Sequence, residues 1–437
     1  MVVSKRVTLK SRSSKRKYMI TWIHRFMLFM LLFGVSALVY GGNQGSPLLT
    51  MAVNGIALVG IPALVLLYIS QPGLYKVIAW LLVLGVIGLV LESRYEYGQF
   101  VYSYFVIKRF VYCGLALSAY YAISKVEPFK FEHVVYLIFG FFFVNQILLG
   151  QIFQYSLSSE SRTTSAFEAL YLVIPFLYYL VLYLKHHRLL HLIVTLFTFA
   201  FIVFLLHRSV ISTAVVAGVI IFGLLVVGRL AVASMPIGRT VAVFAVILTL
   251  VIPSLSLLPE TKTASFMESM AGMLDPQEDN TGSWRVEQST YYLSQIPERP
   301  LFGWRYDGYD RGEIMENEDF PEKGTIIHSQ YIDMLYNYGA VGLAINLLLI
   351  LGTLITIYRR NRTFTTEQTV LFGFIASGLV FAISYQLPVY YWGFVGIGMH
   401  YGLSHSNLDV SISYPPQQAE PDVVVHPAAF AENQLNP

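Results

Sequence analysis

Long apolar runs separated by short polar stretches dominate the chain. They fall at 22–40, 48–69, 74–91, 109–124, 133–153, 166–184, 189–206, 209–228, 240–258, 330–357, 366–385 and 387–403. Each approaches the ~20 residues that a helix needs to cross a bilayer. The pattern predicts an all-α, polytopic integral membrane protein with about twelve transmembrane helices. Its least regular run, 109–124, is short and follows the mixed stretch from Glu92 to Arg109. One long polar stretch breaks the series. The predicted organisation is a basic cytoplasmic N-terminus over 1–21, transmembrane helices over 22–258, an extracytoplasmic loop over 259–327, further transmembrane helices over 328–403 and a flexible cytoplasmic tail over 404–437.

Basic residues orient the runs. The head contains Lys5, Arg6, Lys10, Arg12, Lys15, Arg16 and Lys17, and such a cluster is retained in the cytoplasm. The run behind it is too long for a signal-peptide core, and Gly41-Gly42-Asn43 is a poor cleavage site. The head is thus a topology signal rather than a nucleic-acid arm. Alternating from it, the inward loops contain Lys76, Lys125, Lys130, Lys185, Arg188, Arg229, Arg239, Arg359, Arg360 and Arg362, while 41–47 and 386–388 have no Lys or Arg. The 259–327 loop then faces outward.

Composition narrows the class. Of 437 residues, 55% are hydrophobic and 13% charged, a balance that excludes an ordinary water-soluble domain. Cys113 is the single cysteine, so no disulfide can form within the chain, and its apolar flanks favour packing over reactivity. From Glu260 to Lys323 the outward loop holds fourteen acids and six bases, a formal charge of −8. Its aromatics, among them Trp284, Tyr291, Tyr292, Phe302, Trp304 and Tyr306, argue against disorder. A small ordered cap is expected, with a helix over 283–296 at the membrane interface. Val286, Thr290 and Leu293 share one face of that helix, and Pro297 ends it.

Candidate chemistry lies at this loop and at one span end. His328 stands where the loop enters a long apolar helix, in the field of that helix's positive end, which favours a neutral imidazole. A neutral imidazole can accept a proton from a hydroxyl. The alternative is a surface histidine that only hydrogen-bonds the loop. Thr325 or Ser329 can cap the helix, and Asp333 could orient His328 from the next turn. A helix over 328–357 would run ~45 Å, longer than the ~30 Å hydrocarbon core. Gly339 and Gly342, one turn apart, would let another backbone approach. Arg285 in the cap and Arg208 at an outward span end are suited to a diphosphate, because guanidinium binds phosphate through a bidentate fork. A loop salt bridge for Arg285 and snorkelling for Arg208 are the plainer readings. Asp307, Asp310, Glu316, Glu318 and Asp319 could hold a divalent ion, although a solvated acidic loop explains them as well. The chain lacks a phosphate-cradling glycine loop, a dinucleotide fingerprint, zinc-spaced His/Cys residues and a Gly-x-Ser-x-Gly elbow.

His328-Ser329, nine residues, Gly339, two residues and Gly342 form a pattern that resembles the O-antigen ligase and polymerase group of bacterial membrane glycosyltransferases. Arg285 followed by Pro300-Leu301-Phe302-Gly303, and Arg208-Ser209 at an outer span end, add to the likeness. The resemblance implies a metal-independent, inverting glycosyltransferase without a cofactor. It would take a glycan from an undecaprenyl-diphosphate carrier at the outer face of the cytoplasmic membrane. Arg208 and Arg285 would hold the diphosphate and His328 would activate or position the acceptor hydroxyl. That hydroxyl would belong to lipid A core, to a second lipid-linked glycan repeat or to a protein, so ligase and polymerase readings both stand, in surface polysaccharide assembly. The bilayer is a partner and nucleic acid is not. A lipid-glycan flippase is the rival class, but transporters place ionisable residues near the bilayer midplane. The spans here are poor in them.

Overall fold

The structure is a computed structural model that describes residues 19, 21–33, 73–126, 129–148, 164–205, 207–232, 280–308 and 327–404. Met1–Ser404 form one compact unit. The remainder, the expected tail, lies outside the described residues, as do the expected spans 48–69 and 240–258.

No strand occurs among the described residues. The helices are α1 (Thr21–Phe33), α2 (Gly73–Tyr97), α3 (Tyr104–Val111), α4 (Leu115–Ser124), α5 (Phe131–Leu148), α6 (Ala166–Tyr171), α7 (Val173–His186), α8 (Leu189–Phe204), α9 (Arg208–Val226), α10 (Asn280–Gln295), α11 (Gln330–Arg360), α12 (Thr366–Ser384) and α13 (Val389–Leu403). Six described segments are long and apolar enough to cross a membrane: Gly73–Tyr97, Tyr104–Ser124, Ala166–His186, Arg208–Val226, Gln330–Arg360 and Thr366–Ser384. The irregular run of the sequence is the second of these. It starts earlier than its apolar core and passes through a 3-10 turn at Tyr112–Gly114. Cys113 is buried there. α1, α5, α8 and α13 are shorter. α13 packs closely against α4, and a side chain at Gly396 would strike the main chain of Ala116 and Tyr120. Nearly all of α13 is buried, so its neighbours rather than lipid cover a helix only about 22 Å long.

Cross-bundle contacts define two ends. At one, Lys185 Nζ donates to Thr366 Oγ1 at 3.2 Å, Tyr75 Oη donates to Thr356 Oγ1 at 3.2 Å and Phe364 N donates to the Arg229 carbonyl at 2.7 Å. At the other, Glu92 accepts from Arg305 at 2.6 Å, Tyr390 Oη donates to the Phe167 carbonyl at 2.5 Å and Gln386 donates to the Ile327 carbonyl at 2.6 Å. The loop residues 280–308 pack at this second end.

α11 is not one continuous helix. Gly339 takes φ 63° and ψ −164° inside it, a region essentially closed to other residues. The part after the break, 340–360, spans about 32 Å at ~1.5 Å per residue, enough to cross a bilayer alone. The preceding turns form a separate half-helix beside the loop, in place of the single projecting helix that the sequence suggested.

At the break the loop takes four main-chain groups of α11. In an unbroken helix the N–H of residues 340 and 341 would donate to the carbonyls of 336 and 337. Instead Ala340 N donates to the Pro300 carbonyl at 2.8 Å and Val341 N to the Leu301 carbonyl at 3.1 Å. The carbonyls of Tyr336 and Asn337 accept from Trp304 N at 2.8 Å and Arg305 N at 2.9 Å. The Pro300-Leu301-Phe302-Gly303 stretch is thus the docking strip for the glycine motif of α11.

Candidate functional site

α10 begins at Asn280, earlier than the expected 283, and Ile296–Glu298 follow it as a 3-10 turn containing Pro297. The face shared by Val286, Thr290 and Leu293 points outward: all three are exposed. Gln288 and Tyr292 are buried on the opposite side. Tyr292, Ile327 and Tyr336 form a small core, with Tyr291, Trp304 and Ile332 packed on it. This aromatic cluster orders the loop next to the first half of α11.

His328 lies one position before the N-cap, Ser329, rather than in the first turn. Ser329 makes no capping bond; its hydroxyl donates to the Ala382 carbonyl of α12 at 3.4 Å. Thr325, the other possible cap, lies outside the described residues. The half-buried imidazole meets Trp284 edge-on, with ring centroids 4.9 Å apart, and lies 6.4 Å from the Tyr385 ring. Its Nδ1 is 3.3 Å from Gln288 Oε1.

Arg285 reaches the same tyrosine. Its Nη2 donates to Tyr385 Oη at 2.9 Å, and its guanidinium carbon lies 4.4 Å from the ring centroid. A loop salt bridge, the plainer expectation for Arg285, is not its described contact. Arg285 and His328, separated in sequence by more than forty positions, thus share one aromatic wall. Phe167 and Phe381 complete that wall, their centroids 5.7 Å and 5.1 Å from that of Tyr385.

Arg208 is the first residue of α9. Its neighbour His207 is buried, with Nε2 2.8 Å from the Thr164 carbonyl. Thr164 leads into α6, whose Ser165 and Glu168 form a reciprocal capping box and whose Phe167 touches Tyr385. Arg208 therefore stands at the same end of the bundle as Arg285 and His328, connected to them through the start of α6.

Asp333 has partners on α3 and on its own helix. It forms an ion pair with Arg109 of α3 and accepts from Asn337 Nδ2 at 3.0 Å. Gly339 does admit another backbone, since a side chain there would collide with Leu301 and Phe302. Gly342 does not: its nearest neighbour is Tyr338 of the same helix. The break lets Tyr338 lean over that position.

Asp307 is occupied by protein groups. Oδ1 accepts from Tyr97 Oη at 2.6 Å and Oδ2 from Arg299 at 2.5 Å. Burial pushes its carboxyl up, but the bonds from Tyr97 and Arg299 and the charges of Arg299 and Arg305 outweigh this and hold it below the usual carboxylate range. No cluster of three or more His, Cys, Asp or Glu groups suited to a metal occurs among the described residues. Asp310, Glu316, Glu318 and Asp319 lie outside them.

Sequence reasoning missed Tyr385, Gln288 and Trp284. Trp284 and Gln288 flank Arg285 on the α10 helix at helical spacing, a signal that was available. Tyr385 ends an apolar run and gave none.

Among curated proteins, none matches the chain. The model of the family described as O-Antigen ligase matches residues 193–347, about a third of the sequence. This is a glycosyltransferase-like family that acts on lipid-linked glycans within a membrane. The matched segment contains Arg208, Arg285, His328, Gly339 and Gly342, so the chain is similar to the O-antigen ligases over the stretch that carries these five residues, in a protein with the helices of a multi-pass membrane protein.

Proposed function

We propose that this protein is an O-antigen ligase-type glycosyltransferase of the bacterial cytoplasmic membrane, its site facing outward. It would transfer a glycan from undecaprenyl diphosphate to an acceptor hydroxyl. The observation that carries this reading is that Arg285 and His328, both within the segment similar to the ligases, meet on Tyr385.

The chemistry needs few groups. The acceptor oxygen attacks the anomeric carbon from the side opposite the diphosphate, which inverts that centre. The bond from the anomeric carbon to the diphosphate oxygen breaks, and the diphosphate leaves with the electron pair. Arg285 and Arg208 hold its charge, as permanently charged forked donors do. His328 takes the acceptor proton. Because diphosphate leaves readily, neither a covalent enzyme intermediate nor a metal is required.

The test uses purified protein in detergent with EDTA and undecaprenyl-diphosphate oligosaccharide. Lipid A core, a second lipid-linked repeat, a serine/threonine peptide and no acceptor are offered separately. Product is expected with one acceptor, which distinguishes ligase, polymerase and protein glycosylation. His328→Ala should lower the rate at least about 100-fold, the usual scale of a lost general base. Carrier flipping in vesicles with no transfer to any acceptor overturns the reading in favour of a transporter.

A further inference from the structure

We infer that Gln288 is a positioning residue that keeps the His328 proton on Nδ1, so that Nε2 is the nitrogen that takes the acceptor proton. The inference rests on the reading of His328 as proton acceptor.

Two atoms of His328 converge on one side-chain oxygen. The main-chain N lies 3.4 Å and Nδ1 3.3 Å from Gln288 Oε1. A main-chain N–H can only donate, so the amide must present its oxygen, not its NH2, to this residue. With that oxygen fixed as an acceptor, Nδ1 can share it only as N–H. A neutral imidazole carries one N–H, so Nε2 is bare and able to accept a proton. The opposite tautomer would offer an N–H to the hydroxyl and could not take its proton.

The surroundings keep this arrangement in place. Gln288 is 1% exposed, so water does not compete freely for its oxygen. It follows Arg285 by one turn of α10, and one helix therefore places both the proposed diphosphate ligand and the amide that sets the tautomer. Trp284, one position before Arg285, meets the imidazole edge-on. The Tyr385 phenol and, stacked on it, Arg285 face the ring. The positive start of α11 disfavours the imidazolium.

In the reaction the acceptor O–H proton passes to Nε2 as its oxygen bonds to the anomeric carbon. The resulting imidazolium keeps its Nδ1–H on Gln288 and later releases the Nε2 proton to water.

Two substitutions separate this role from packing. Gln288→Glu keeps an accepting oxygen but adds charge, which stabilises the imidazolium. The acidic limb of the kcat–pH profile should then move up by about one to three pH units, the usual effect of a nearby opposite charge. The rate should recover above that limb. Gln288→Leu offers no acceptor, so the rate should fall at least about tenfold at every pH with the limb in place. An unshifted limb in Gln288→Glu with a loss equal to that of Gln288→Leu overturns the inference. A second readout is independent of turnover: ring-15N NMR, assigned against His328→Asn, should show the Nδ1–H form in the wild type and a mixture in Gln288→Leu. An Nε2–H form in active wild type overturns the role of Gln288 and leaves His328 standing as a site residue. Full activity of His328→Ala defeats the reading of His328 itself, whatever tautomer the spectrum shows.

Discussion

Gly303 and Gly339 are locked against each other's main chain. A side chain at Gly303 would strike residues 336–338, and one at Gly339 would strike 301–302. Both take positive φ, 67° and 63°. Alanine at either position therefore meets a steric wall and a backbone penalty of roughly 1–2 kcal/mol. Gly303→Ala and Gly339→Ala should each lower the thermal unfolding midpoint in detergent and expose the loop to protease. Gly88→Ala is the control: nothing lies within 4 Å of a side chain there. As an exposed mid-helix position it should be neutral or gain up to about 1 kcal/mol. Equal midpoints for all three variants would show that the glycine contact is not needed.

Arg109 and Asp333 tie α3 to the first half of α11, with side chains 14% and 2% exposed. Removing one member of a buried pair strands the other and costs about 3–5 kcal/mol. Asp333→Ala should therefore be strongly destabilising in SDS–detergent unfolding. The double variant Arg109→Met, Asp333→Leu should recover most of the loss, since apolar replacement of a buried pair is often close to neutral. A double variant no more stable than Asp333→Ala alone would assign the cost to other contacts, such as Asn337.

Tyr385 holds Arg285 in two ways, through its hydroxyl and its ring face. Tyr385→Phe keeps the stack, worth about 0.5–2 kcal/mol, and loses a hydrogen bond to a charged group, worth about 1.5–3 kcal/mol. It should weaken donor binding about tenfold or more, and Tyr385→Ala should weaken it further. Donor KM and direct binding of the lipid diphosphate check this. Unchanged donor affinity in both variants would remove Tyr385 from the site.

The loop attachment should weaken in acid. The Asp307 carboxyl is held below its ordinary range, so its stabilising contribution is fully present above about pH 3.9, the unfolded value, and is lost as pH falls through the lower folded value. The Arg299 and Asp307 side chains are 40% and 36% exposed, and solvent screening limits the pair to ~1 kcal/mol or less. Asp307→Asn should have a lower midpoint than wild type at pH 6, with the gap closing towards pH 3. A gap that stays constant across that range would deny Asp307 any part in it.

The sequence made the helices readable because their apolar runs are long, and the pattern of Arg208, Arg285, His328, Gly339 and Gly342 lies within the segment similar to the ligases. Partnerships were harder to read. Asp333 stands one turn from Ser329, yet its partner Arg109 of α3 lies 224 positions away in sequence. Val286, Thr290 and Leu293 resemble a packing face, yet apolar spacing does not distinguish a face turned to protein from one left outside. The face that packs holds Gln288 and Tyr292, whose polar atoms conceal it from a hydropathy pattern. The break in α11 was hidden because its cause is remote: the groups that satisfy it come from Pro300, Leu301, Trp304 and Arg305.

Those four residues act as a splint across a fracture. Pro300 and Leu301 grip the membrane side of Gly339, while Trp304 and Arg305 grip the side that carries His328. The angle at which the histidine is presented is therefore set by the length of chain between Leu301 and Trp304, which belongs to neither half of the helix. One residue added or removed there would re-aim the imidazole without altering any group that touches it.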